Sequence, residues 1–195
     1  FVNNLNSNAD YFNNKNINLN LIISKSGNTL ETITNTNVLV KEKDKNIIIT
    51  ELKNSYLTNL ANKIKSEVFE HKNYLGGRYS VLSEVGMLPA ELMNLNENKF
   101  KQFNNLIKDK NFIHNLINNV STTLDLIREG RYTSIILNYD EQSESLFKWY
   151  QQLVAESLGK KSKGIMPIIS SMPKDNHSLM QLYLDGPKKS FYTFF

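Results

Sequence analysis

Apolar positions follow two alternating rhythms along this chain. Leu19 to Ile23 reads as a strand. The Thr29 to Val40 region reads as a helix, and Asn28 followed three residues later by Glu31 is a helix-start signature. "NIIIT" at 46–50 is a short strand of the buried type, and Tyr56, Leu57, Leu60, Ala61 and Ile64 then repeat at helical spacing. "EVFEH" is a weaker strand candidate that leads into "LGGRYSVLSEVGMLP". Strand, helix, strand, helix, strand predicts a parallel sheet with crossover helices.

Residues 97–129 break that rhythm. Phe100, Phe103, Leu106 and Ile107, then Phe112, Ile113, Leu116, Ile117, Val120 and Leu124, trace two amphipathic helices, a helical connection between two lobes. "TSIILNY" at 133–139 restarts the first pattern as a strand. Leu146, Trp149, Tyr150, Leu153 and Val154 mark an amphipathic helix that Gly159 can close. "GIMPIIS" at 164–170 is the next strand, and Asp175 is a candidate N-cap for a helix with Leu179, Leu182 and Tyr183 on one face. The chain is thus an α/β protein with two α/β units around a helical linker.

Composition narrows the partners. Of the residues, 40% are hydrophobic, which excludes a disordered chain. The net charge of +4 is spread along the sequence apart from Lys160, Lys161 and Lys163, so neither a nucleic-acid footprint nor a binding motif for one is present, although small anions suit it. Without cysteine there is no disulfide framework and no thiolate chemistry. No apolar run reaches membrane-spanning length, and no metal-ligand cluster stands out. Phe1 begins the sequence without a signal-peptide pattern, and "SFYTFF" ends it like a strand entering a core, so an internal piece of a longer protein is expected.

Three constellations carry candidate chemistry. Ser24, Lys25, Ser26, Gly27, Asn28 and Thr29 form a strand-to-helix turn rich in hydroxyls, with free N–H groups and the positive helix end behind it. Such a turn suits a phosphate monoester, and it equally fits a plain capped loop, since its glycine spacing is that of neither common phosphate loop. Gly76 and Gly77 permit close backbone approach beside Arg78, which could face a developing negative charge or lie on the surface. Gln151, Gln152 and Glu156 lie near a helix end, with Glu156 spaced for an ion pair with Lys160. Of the three histidines, His71 and His114 read as structural or exposed. His177 falls at a helix start after a strand end, where the active-site groups of parallel sheets gather.

Four segments, "SKSGNTLET", "GGRYSVLSEVGMLP", "QQLVAESLGKKSKG" and "DNHSLMQLYLDGP", resemble in order segments of the glucose-6-phosphate isomerase family. The resemblance implies parallel sheets flanked by helices of the sugar-isomerase (SIS) type. The C-terminal part of a first SIS domain would then occupy residues 1–75, the Gly-Gly-Arg loop and linker 76–130, and the N-terminal part of a second SIS domain 131–195. It implies that Ser24, Lys25, Ser26 and Thr29, with Gln152 nearby, hold a sugar phosphate. Arg78 matches the arginine beside the reacting carbons, Glu156 the carboxylate that shuttles the proton, and His177 the imidazole of ring opening, donated by the neighbouring subunit of a homodimer. A cytoplasmic isomerase of glycolysis and gluconeogenesis, without cofactor or metal, is the expectation. The family's earlier Gly-Gly-Ser loop and later lysine-bearing helix have no counterpart here, and Asn176 stands where many members have Gln. The alternatives are a regulatory SIS module that binds sugar phosphate without catalysis, and an isomerase that also accepts mannose 6-phosphate.

Overall fold

The computed structural model describes residues 19–41 and 43–195. The first 18 residues of the expected first domain lie outside the described residues. Two compact units divide the chain between Gln102 and Phe103.

In the first unit, strands β1 (Leu19–Ile23), β2 (Lys45–Thr50) and β3 (Glu67–Glu70) form a parallel sheet in the order β1-β2-β3. Leu19 lies opposite Lys45, and Ile47 opposite Glu67. Consecutive parallel strands need crossovers, which helices α1 (Leu30–Leu39) and α2 (Tyr56–Ile64) supply. Ile48 and Ile49 are both fully buried. Adjacent strand residues point to opposite faces, so both faces of β2 are covered. Ile22, Ile48, Leu57 and Ala61 make the core, with Val40, Tyr56, Leu60 and Val68 packed against it. Each large aliphatic side chain buried there contributes about 1.5–3 kcal/mol.

The expected start of α1 differs from the observed one. Thr29, not Asn28, occupies the N-cap, and its side chain makes no capping hydrogen bond. The Asn28 carboxamide oxygen instead accepts from the Tyr56 N–H at 2.8 Å, the first helical N–H of α2. A donor orphaned at a helix start takes the nearest good acceptor, and tertiary contact supplies it here. Ser55 closes the same helix end with a capping box to Thr58. Beyond β3, a 3-10 turn over Gly77–Tyr79 leads to α3 (Glu84–Leu92), which Ser83 caps through the Val85 N–H.

The linker is more broken than the pattern predicts. Its first helix is two short pieces, α4 (Glu97–Lys101) and α5 (Phe103–Leu106), followed by the long α6 (Lys110–Arg128). The breaks fall at Gln102 and at residues 107–109, and the Asp109 carboxylate restarts the helix by accepting from the Asn111 and Phe112 N–H groups.

In the second unit, β4 (Thr133–Asn138), β5 (Met166–Ser171) and β6 (Ser190–Phe194) form a second parallel sheet in the order β5-β4-β6. Ser134 to Asn138 are all buried, as a central strand requires. Helix α7 (Glu144–Leu158) connects β4 to β5, and α8 (Lys174–Ser178) and α9 (Met180–Asp185) connect β5 to β6. The "SFYTFF" segment is indeed a strand, but it takes the sheet edge, and Phe195 packs edge-on against Phe147 with centroids 4.8 Å apart. Gly159 follows α7 with φ −71°, so close approach rather than left-handed backbone selects it: a Cβ there would meet the Ala155 carbonyl oxygen at 2.5 Å. The expected single helix after β5 is interrupted at Leu179, which lies outside helical geometry. Its cap position is Pro173, because the Asp175 carboxylate is engaged elsewhere.

Candidate functional site

The hydroxyl turn occupies the C-terminal edge of the first sheet. Strand pairing continues one residue past β1, where the buried Ser24 donates its N–H to the Ile49 carbonyl at 3.1 Å. The chain then reverses through Gly27, whose φ of +68° only glycine adopts without strain. The Ser24 and Thr29 hydroxyls lie 2.7 Å apart, and Ser26 Oγ is 3.5 Å from Thr29 Oγ1 while accepting from the Asn28 N–H. Three hydroxyls thus converge at the start of α1, whose cap residue provides no side-chain acceptor. Helix starts of this kind present N–H groups and the positive dipole end to an anion.

Lys25 points elsewhere. Its ammonium donates to the carbonyls of Asn73 at 2.9 Å and Leu75 at 2.6 Å, and lies 3.6 Å from Glu51 Oε1. A hydrogen bond from Lys53 to Glu51 holds that carboxyl below its usual range; burial opposes the shift, and the charges of Lys53 and Lys25 add to it. Arg78 follows three residues after Leu75, in the 3-10 turn, with its guanidinium 5.7 Å from the centre of the Tyr79 ring. Ser80 and Ser83 brace this loop, donating to the carbonyls of Gly77 and Ser80 at 2.7 Å each. His71 is buried at the same sheet edge: its N–H extends the pairing onto the Thr50 carbonyl, and Nδ1 lies 3.1 Å from the Lys72 carbonyl.

In the second unit, Gln152 and Glu156 share the last turns of α7, and the Gln152 amide donates to Glu156 Oε1 at 3.0 Å. Lys160, four residues beyond Glu156, bridges its backbone to Lys163 past the helix end. Gln151 anchors the helix by donating to the Pro167 carbonyl at the start of β5. His177 lies on α8, past the other end of β5. What sequence reasoning missed is the anchor of that segment. Asp175 accepts from Ser170 Oγ and the Ser171 N–H, both at 2.8 Å, and from Ser178 Oγ at 3.3 Å. The Ser170 hydrogen bond chiefly keeps its carboxyl below the usual range; burial opposes, and the Ser171 and Ser178 bonds and the Lys174 charge add to the lowering. The serines at 170, 171 and 178 around Asp175 were the available signal.

Structure brings Ser24, Ser26 and Thr29 together, and Gln152 with Glu156. It does not bring His177 to Glu156 within the second unit. They flank opposite ends of the six-residue β5, which spans about 17 Å at 3.3 Å per residue. Arg78 and the hydroxyl turn belong to the first unit. Among the described residues no His/Cys/Asp/Glu cluster could hold a metal, and no helix is long and apolar enough to cross a membrane.

Comparison with known proteins agrees with this architecture. A glucose-6-phosphate isomerase of Methanocaldococcus jannaschii is 36% identical over 187 residues, covering 89% of this chain and 46% of the relative. That of Mycoplasma mycoides subsp. mycoides is 33% identical over 200 residues, covering 94% and 46%. The chain spans about half the length of the curated relatives it matches. The crystal structure of a hypothetical protein from Thermus thermophilus superposes with a TM-score of 0.79 at 24% identity, covering 95% of this chain and 49% of that one, which supports the fold. The family described as phosphoglucose isomerase matches residues 4–171, and with relatives above 30% identity across nearly the whole chain, this chain belongs to that family.

Proposed function

We propose that this chain forms part of a glucose-6-phosphate isomerase that interconverts glucose 6-phosphate and fructose 6-phosphate. The observation that carries the reading is the start of α1, where Ser24, Ser26 and Thr29 converge on a helix end without a side-chain cap. A phosphate there accepts hydroxyl and N–H donors at once, and the resemblance adds Gln152 to its ligands, while the Lys25 ammonium is turned to the Asn73 and Leu75 carbonyls. Binding energy gathered at the phosphate positions C1 and C2 of the sugar, away from the anchoring group.

Isomerisation moves one proton between C1 and C2. Glu156 takes the proton from one carbon and returns it to the other on the same face, through a cis-enediol. The Gln152 amide, 3.0 Å from the carboxylate, fixes the orientation of Glu156. Arg78 stabilises the oxyanion charge that develops on the intermediate. His177 assists ring opening by moving a proton at the ring oxygen. Because β5 separates His177 from Glu156 within one unit, a homodimer in which each subunit lends His177 to its partner suits the geometry. Cytoplasmic sugar metabolism is the matching setting, and neither cofactor nor metal enters the chemistry.

The test is a coupled assay on the native protein, reading glucose 6-phosphate formed from fructose 6-phosphate, with mannose 6-phosphate formation read in parallel. Turnover to glucose 6-phosphate is expected. Saturable binding of fructose 6-phosphate with no product would overturn the catalytic reading.

A further inference from the structure

We infer that Lys25 is a positioning residue: its ammonium straps the Gly-Gly-Arg loop onto the hydroxyl turn and leaves the phosphate to the hydroxyls and N–H groups. The inference rests on the isomerase reading for its kinetic consequence, but its structural half stands apart from it.

An ammonium has three donors. The carbonyls of Asn73 and Leu75 take two of them, and Glu51 Oε1 lies 3.6 Å away. A charged donor on a carbonyl is a strong form of hydrogen bond. Both carbonyls sit in the short segment between β3 and Arg78, about 50 residues along the chain from Lys25. The backbone of Lys25 is fixed as well: its carbonyl accepts from the Glu51 N–H at 3.1 Å and from Thr50 Oγ1 at 3.3 Å. Nζ is thus held by a turn built into the sheet edge and grips a loop that is not part of the sheet. Leu75 is three residues before Arg78, so a shift of the strapped segment carries through Gly76 and Gly77 to the guanidinium. The carbonyls of Gly76 and Gly77 are held within the turn, by the Tyr79 N–H at 2.9 Å and the Ser80 hydroxyl at 2.7 Å, so the turn moves with the segment that Lys25 grips.

Lysine matters here as a compact charge that reaches two carbonyls from one point. The planar fork of arginine would spread its donors and displace the loop. With a side chain 29% exposed, Lys25 tolerates substitution without opening the core.

Lys25→Met keeps most of the stem and removes the donors. In the native protein, hydrogen exchange without any ligand is expected to accelerate at least tenfold at the amides of Leu75, Tyr79 and Ser80, with the amides of β1 and β2 unchanged. Kinetically, kcat for fructose 6-phosphate should fall about 10–100-fold, the scale expected for a displacement near 1 Å. KM, and the inhibition constant of inorganic phosphate, should stay within about threefold by the same reasoning. Lys25→Arg should restore the charge without restoring kcat. Unchanged exchange at these amides overturns the strap, whether or not the protein is an isomerase. A phosphate inhibition constant raised more than tenfold with kcat preserved overturns it in favour of a direct phosphate ligand. An inactive wild type that still shows the exchange difference contradicts only the isomerase reading.

Discussion

Gly27→Ala is the perturbation whose cost the structure sets most fully. Gly27 has φ +68°, and an alanine held in left-handed backbone costs about 1–2 kcal/mol. Its Cβ would stand 2.2 Å from Ser55 Oγ, 2.7 Å from Ser55 Cβ and 2.9 Å from Thr50 Oγ1. These neighbours cannot yield cheaply. Thr50 is fully buried in β2, and Ser55 caps α2, a cap worth about 1 kcal/mol. Alanine narrows the unfolded ensemble and recovers somewhat under 1 kcal/mol. The net expected loss is about 1–2 kcal/mol, which at a urea slope of about 1–3 kcal/mol per molar lowers the midpoint by about 0.3–2 M. Gly77→Ala is the control, since a Cβ there meets nothing within 4 Å. Urea titration followed by far-ultraviolet circular dichroism reads both variants. A Gly27→Ala midpoint matching that of Gly77→Ala would refute the claim that the turn is packed onto the cap of α2.

Ser26→Ala with Thr29→Ala should weaken sugar-phosphate binding by about 1.5–3 kcal/mol per lost hydrogen bond to charged phosphate. Titration calorimetry with glucose 6-phosphate and with glucose is the check, and equal losses for both would remove the turn as the phosphate site. Asp175→Asn should destabilise the second unit near neutral pH. The folded carboxyl is held below its usual range, so its contribution is present above the unfolded value of about 3.9 and is lost as pH falls through the lower folded value. Urea midpoints between pH 2 and 7 should therefore converge for the two proteins at the acid end, and a gap independent of pH would contradict this. His177→Ala should slow turnover more with cyclic glucose 6-phosphate than with an open-chain analogue, and equal slowing would argue against a role in ring opening.

The strands and α2 were legible because their signals are local. "NIIIT" is short and β-branched, as a strand buried on both faces is, and the five apolar positions of α2 share one face. The hydroxyl turn was legible as a turn, since Gly27 and its polar neighbours mark one. Helix α3 was not, because Gly86 and Pro89 interrupt its pattern and only the Ser83 cap announces it. Asn28 misled for a different reason. Its acceptor serves Tyr56, 28 residues away, and no spacing rule reports a cap lent to another helix. The ammonium of Lys25 is the same kind of case: no spacing rule reports that it donates to the carbonyls of Asn73 and Leu75, 48 and 50 residues away. Asp175 was read as a helix cap because it precedes an apolar face, whereas the serines at the end of β5 claim its oxygens first.

The proposed isomerisation turns on one proton carried by one carboxylate. Glu156→Gln keeps the size of the side chain and its place on α7 while removing the proposed base. Exchange of solvent deuterium into C2 of glucose 6-phosphate, followed by proton NMR in the native protein and in this variant, reads that step directly. Exchange should slow by about 10²–10⁴-fold, the usual worth of a positioned general base, with sugar-phosphate affinity nearly unchanged. Exchange at the native rate in Glu156→Gln would contradict that role.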